Sequence, residues 1–164
     1  EVDHGRIAVA GHSRLGKAAL LAAATDTRIG AALINNSGAM GASLSQRNFG
    51  ETRQHLEGRF PHWLSPDAGW HGRPLDQHHL LAAVAPRRLY VTSASEDLWA
   101  DPKGEYLALL AAAPAWPEVV LPPLAEAFVP GQQVSSGPVA WHLRPGPHDI
   151  RPYDWHRFIR HVGW

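Results

Sequence analysis

The sequence contains no cysteine among its 164 residues. That absence excludes a disulfide framework, a thiolate nucleophile and any cysteine-ligated metal. Charge is sparse and evenly balanced. Charged residues make up 18%, with Lys and Arg together numbering 15 and Asp and Glu together also 15. Nothing in that balance points to nucleic acid or to an anionic membrane as a partner. No apolar run approaches the roughly 20 residues that a membrane-spanning helix requires, and no signal-peptide pattern is present. What the chain has is an ordinary globular proportion of hydrophobic residues, 45%, enough at this length for one domain with its own core. It is also rich in histidine (11) and tryptophan (7). Trp63, Trp70, Trp99, Trp116, Trp141, Trp155 and Trp164 are spread over the whole length. Indole faces at the surface suit stacking on sugar rings, while buried ones fill gaps under loops.

One stretch organises the rest: Gly11-His12-Ser13-Arg14-Leu15-Gly16-Lys17. An apolar run at residues 6–10 precedes it, and an Ala- and Leu-rich run at residues 14–25 follows. That order predicts a strand, a glycine-framed turn and a helix, with Ser13 at the apex. A serine on such a turn stands at the top of a sheet, where a substrate can reach its hydroxyl. A chain that opens on this strand lacks the strands that normally precede it in a doubly wound domain. It is therefore expected to be the C-terminal part of a larger domain.

Further along, residues 29–34 read as a second buried strand, ending in the polar loop Asn35-Asn36-Ser37-Gly38-Ala39-Met40-Gly41. Residues 42–74 lose periodicity and are dense in polar side chains, a long excursion with partial helix. A helix is predicted over 76–84, with Asp76 near its N-cap. A third strand is predicted over 88–94, and a helix over 103–113. The proline-rich stretch 117–130 reads as irregular, residues 139–143 as a fourth strand, and residues 152–162 as a terminal helix. The pattern is that of an α/β fold with a mostly parallel sheet flanked by helices.

Three predicted strand ends thus carry, in order, Ser13, the acid pair Glu96 and Asp97, and His148. Ser, then acid, then His is the chain order of the α/β-hydrolase triad. The chemistry demands these residue types. An imidazole must take the serine proton and return it to the leaving group, and a carboxylate must fix the imidazole tautomer and stabilise the imidazolium. A frame of small residue and then acid three positions on runs from Ala94 to Asp97. Glu96 is one residue away, so either can be the triad acid. The first turn of the following helix also offers backbone N–H groups to a developing oxyanion. The common elbow has glycine two residues after the serine. Here that place is Leu15, and the glycine comes at Gly16.

This Gly-x-Ser-Arg-x-Gly-Lys turn resembles that of the glucuronoyl esterases, carbohydrate esterase family 15. Asn36 to Ala42, Asp76-Gln77-His78-His79-Leu80, Glu96-Asp97-Leu98-Trp99-Ala100-Asp101-Pro102 and His142 to Asp149 resemble family segments in family order. They are closer to bacterial than to fungal members. The resemblance implies an α/β-hydrolase that cleaves the ester between the 4-O-methyl-glucuronic acid of xylan and lignin alcohols. It implies a secreted or periplasmic enzyme that needs no cofactor and no metal. It also implies roles by position: Ser13 as nucleophile, His148 as base, Arg14 as an oxyanion stabiliser, and Lys17, Trp99 and Glu51 as sugar contacts. Some members carry the acid immediately before the Ser-Gly of the second strand's loop. Asn36 stands there in this chain, which leaves the acid to Glu96 or Asp97. Another carbohydrate or acetyl esterase on the same fold, or an inactive carbohydrate-binding remnant, are the rival expectations.

Overall fold

The computed structural model describes residues 3–64 and 75–163; Trp70 and Trp164 lie outside that range. Five strands form one sheet in the order β1-β2-β3-β5-β4: Ala8–His12, Ala31–Asn35, Arg88–Ala94, Val139–Arg144 and, at the edge, Gln133–Ser136. The pairs β1–β2, β2–β3 and β3–β5 are parallel, and β4 runs antiparallel to β5. The mostly parallel sheet with flanking helices is the α/β-hydrolase arrangement expected from the sequence.

The third and last strands fall where the hydropathy places them. The first two start two residues later than expected, so β1 carries His12 at its end and Ser13 follows directly. The edge strand β4 is not among the expected strands, because the four residues Gln133–Ser136 carry only one apolar side chain, Val134. Gly137, at φ 53°, turns the chain from β4 into β5. Within the stretch expected to be irregular, Leu124–Ala127 forms one helical turn, α5.

Helix α1 spans Arg14–Thr25, α2 Arg53–Arg59, α3 Gln77–Ala82, α4 Pro102–Ala112 and α6 Pro152–Val162. Asp76 caps α3, accepting from the Gln77 N–H. Strand side chains alternate faces. Ala32 and Ile34 point into the larger core with Leu20, Leu109, Trp116 and Trp141. Ala31 and Leu33 point the other way, with Tyr90, Ala140, Phe158 and Val162 beneath α6. Burying Phe158 and Val162 stabilises the seating of α6 by roughly 1.5–3 kcal/mol each.

A buried polar cluster also ties α6 to β5. Asp154 accepts from His142 Nε2 at 2.7 Å and from the Arg151 N–H at 2.7 Å, and it pairs with Arg144 Nε at 3.3 Å. The other ring nitrogen of His142 accepts from the Tyr90 hydroxyl at 2.9 Å. Burial holds the His142 pKa below its ordinary value, consistent with a neutral ring that donates to Asp154. No helix among the described residues is long and apolar enough to cross a membrane.

Candidate active site

The parallel strands β1, β3 and β5 end on the same edge of the sheet, and each hands its loop one reactive side chain. Ser13 takes φ 57°, ψ −123°, a backbone conformation that non-glycine residues rarely adopt. Two glycines make the turn possible. A Cβ on Gly11 would fall 2.1 Å from the Leu15 carbonyl oxygen, and one on Gly16 would fall 2.9 Å from the Ser37 Cβ. Helix α1 therefore starts close against both β1 and the loop after β2. Leu15 can replace the usual glycine because it is 71% exposed; nothing crowds its side chain. Ser13 N–H is anchored on the Asn35 carbonyl at 2.9 Å. The N–H groups of Arg14 and Leu15, in the first turn of α1, have no intrahelical acceptor.

His148 Nδ1 donates to Asp97 Oδ2 at 2.5 Å. Asp97 is buried and receives two further hydrogen bonds, from Asn36 Nδ2 at 2.6 Å and from the Ala100 N–H at 3.2 Å. Burial alone would push the Asp97 carboxyl up, but the bonds from His148 and Asn36 outweigh it and hold the group below its ordinary range. The same Asp97 bond raises the His148 pKa against the opposing effect of burial. Glu96 is exposed, and among the described residues its carboxylate has no hydrogen bond to His148. The two candidate acids are thereby separated in space: Asp97 is joined to His148 and Glu96 is not. The ring of His12, one residue before Ser13, lies 4.5 Å from the ring of His148 between centroids. That contact brings the β5 loop over the serine turn.

With this geometry in place, comparison with known proteins is informative. A family model described as "Glucuronyl esterase, fungi" matches residues 1–119. A carbohydrate esterase from an unknown prokaryotic organism is 41% identical over 97% of the chain, which spans 38% of that relative. The chain belongs to the glucuronoyl esterase family. A 4-O-methyl-glucuronoyl methylesterase from Sodiomyces alcalophilus is 30% identical over 70% of this chain and 26% of its own length. The solved glucuronoyl esterase from Solibacter usitatus superposes with a TM-score of 0.86 at 38% identity, covering 99% of this chain and 43% of that one. The chain thus spans well under half the length of these family members.

Around Ser13, Asp97 and His148, the remaining expected residues take less obvious places. Lys17 is neither solvated nor free. It is 7% exposed, and its ammonium donates to the Ser37 and Ala39 carbonyls at 2.5 Å each and to Glu51 Oε2 at 2.6 Å. Burial lowers its pKa, partly offset by Glu51. All three ammonium protons are used, so the group that Lys17 sets in place is the Glu51 carboxylate. Glu51 is knit in turn to the acid loop, its N–H donating to the Trp99 carbonyl at 2.8 Å. The Trp99 indole is half exposed and packs against the His55 ring at 4.9 Å. Lys17, Glu51, His55 and Trp99 are therefore contiguous. Arg14 is exposed, its guanidinium 5.5 Å from the Phe60 ring centroid.

Two residues of the site escaped sequence reasoning. Asn36, which puts an amide rather than a carboxylate at its position, donates to Asp97. It sits at φ 45°, which turns its amide towards Asp97. Glu105 on α4 is fully buried and accepts from the Ser37 N–H at 2.7 Å, the Gly38 N–H at 3.0 Å and the Ser93 hydroxyl at 2.6 Å. Its signal was available: Glu105 lies on the apolar stripe Pro102, Glu105, Tyr106, Leu109, Ala112, all buried. The loop after β2 is held from two sides, its N–H groups by Glu105 and its carbonyls by Lys17.

Burial pushes the Glu105 carboxyl up to about 7, even though hydrogen bonds from Ser93 and the loop N–H groups oppose the shift. A raised folded-state pKa stabilises fully below the ordinary value of 4.5 and loses that contribution as pH rises through about 7. The loss is on the order of 3 kcal/mol. Glu105→Gln, which keeps an acceptor for the two N–H groups, is expected to remove this part of the pH dependence. Urea unfolding of both full-length proteins at pH 5 and pH 8 measures it. An undiminished drop in the variant would show that Glu105 is not its source.

Among the described residues, no group of three or more His, Asp or Glu side chains is placed to hold a metal ion.

Proposed function

We propose that the protein is a serine esterase that cleaves 4-O-methyl-glucuronoyl esters linking xylan glucuronic acid to lignin alcohols. Residues 1–164 would contribute the nucleophile, acid and base of one hydrolase domain. The observation that carries the reading is the 2.5 Å bond from His148 Nδ1 to Asp97, with His12 packing that imidazole beside the strained Ser13 turn.

In the reaction, Ser13 Oγ attacks the ester carbonyl while His148 Nε2 takes its proton. Asp97 holds the proton on Nδ1, so Nε2 is the free base, and it stabilises the imidazolium as charge develops. The oxyanion meets the N–H groups at the start of α1 and the Arg14 guanidinium. His148 then protonates the departing alcohol, and a water that it activates releases the uronate from Ser13. Glu51, fixed by Lys17, accepts hydrogen bonds from sugar hydroxyls, and the exposed face of Trp99 stacks on the ring. Because such esters lie in an insoluble polymer, the enzyme would act outside the cytoplasm.

Initial rates on a methyl glucuronate ester and on acetylated xylan test the substrate class. The uronate ester is expected to be favoured in kcat/KM by at least about tenfold. A preference for acetyl groups would replace this reading with an acetyl esterase, and no turnover of either would support a binding remnant.

A further inference from the structure

The loop that presents His148 is wrapped around a buried cation. Arg144, at the end of β5, is 3% exposed. Its Nη1 donates to the Pro145 carbonyl at 3.0 Å, and its Nη2 donates to the carbonyls of Pro147 at 3.0 Å and Asp149 at 2.9 Å. The alternate carbonyls face outward, to the acid loop: Arg144 O accepts from the Ser95 N–H at 2.8 Å, and Gly146 O from the Glu96 N–H at 3.0 Å. Odd-numbered carbonyls thus turn in on the guanidinium, while the even-numbered ones at 144 and 146 zip the loop to the strand end that leads to Asp97. The next link in that zip is the His148–Asp97 hydrogen bond itself. Behind the guanidinium, Asp154 of α6 balances its charge at 3.3 Å.

We propose that Arg144 is a positioning residue for the base: its planar fork sets the curvature of residues 145–149 and so the distance from His148 to Asp97. This rests on the triad reading above. Only a guanidinium offers several donors in one fixed plane, so a lysine that keeps the charge against Asp154 cannot hold three carbonyls at these angles. Gly146 supplies an independent handle. At φ 111° it is in a conformation that disfavours other residues, and a Cβ there would stand 3.1 Å from Arg144 Nη1.

The test uses the full-length protein, a methyl glucuronate ester, and the pH dependence of kcat/KM. His148 must be unprotonated to act, so its pKa sets the acid limb of the profile. The Asp97 bond raises that pKa, and loosening the bond moves the limb to lower pH. The groups facing His148 are Asp97, which bonds it, His12 against its ring, and Glu105 and Glu51 at longer range. None of them is altered by the variants.

Arg144→Lys is expected to lower kcat by about ten- to a hundredfold with KM within about twofold, and to shift the acid limb downward. Gly146→Ala, in an outer loop and without loss of charge, is expected to shift the limb in the same direction. A residue that merely supports the fold would reduce the amplitude of the profile without moving the limb. Should Arg144→Lys fail to fold, Gly146→Ala alone decides. An unmoved limb in the folded variants overturns the proposal, as does a rise in KM at unchanged kcat. Ser13→Ala on the same substrate separates the two readings. If it still turns over, the triad is wrong. If it is inactive while the Arg144 and Gly146 variants behave as wild type, only the role of Arg144 falls.

Discussion

Ser13→Ala in the full-length protein is expected to lower kcat on a methyl glucuronate ester by about 10⁴-fold or more, with little change in stability. The loss follows from chemistry that no neighbour can supply. Oxyanion donors at the start of α1 remain, so some acceleration over water survives, but no acyl-enzyme can form. The neutrality towards folding follows from geometry. Among the described residues, the Ser13 hydroxyl makes no hydrogen bond; the turn is held by the Ser13 N–H on Asn35 O and by the Gly16 N–H on Ser13 O. Alanine at φ 57° is strained about as much as serine, so the melting curve is expected to stay within about 0.5 kcal/mol of wild type. Ser13→Gly is the sharper companion. It is equally inactive, and it relieves a conformation that costs about 1–3 kcal/mol, so it should melt higher. Near-wild-type turnover by either variant would remove Ser13 as nucleophile and with it the whole mechanism.

The serine turn was legible because its determinants are local. Glycines two before and three after Ser13 are set by the approach of α1 to β1, and that approach is encoded within eleven residues. The strands Arg88–Ala94 and Val139–Arg144 were legible for a similar reason, since each carries a short run of β-branched, aromatic and apolar residues, Leu89-Tyr90-Val91 and Val139-Ala140-Trp141. The burial of Lys17 was not legible because its surroundings are not local. Its three acceptors lie 20 to 34 residues away, and only the fold shows that a first-turn lysine is buried among carbonyls. Tryptophan divides in the same way. Trp116 and Trp141 are fully buried, whereas Trp63, Trp99 and Trp155 are exposed by 39–50%, and nothing in their flanking residues separates the groups. Glu105 lay between these extremes. A carboxylate on the apolar stripe of a helix announces a buried polar role, but its partners, the N–H groups of Ser37 and Gly38, follow only from the positive φ of Asn36 and Gly38.

The choice between Glu96 and Asp97 is where sequence reasoning stopped and where the second large effect is expected. Adjacent residues on a turn point in different directions, and the pairing of the acid loop with the His148 loop puts the Asp97 carboxylate, not that of Glu96, on the His148 ring. Asp97→Asn is expected to lower kcat/KM by about 10³-fold, and Glu96→Gln to leave it within about twofold. The asymmetry has a structural cause. Asp97 accepts from three donors, the His148 ring, the Asn36 amide and the Ala100 N–H. An asparagine has one acceptor oxygen. In one orientation its NH₂ faces the Ala100 N–H; in the other it faces both His148 and Asn36. In neither does it carry the charge that stabilises the imidazolium. The acid limb of kcat/KM should also move to lower pH in Asp97→Asn, since the bond that raises the His148 pKa is weakened. Glu96 has no such bond to lose, and its exposed carboxylate is screened by solvent. Loss of activity in Glu96→Gln with Asp97→Asn intact would mean that the two loops pair in a different register during turnover, with Glu96 turned in on His148.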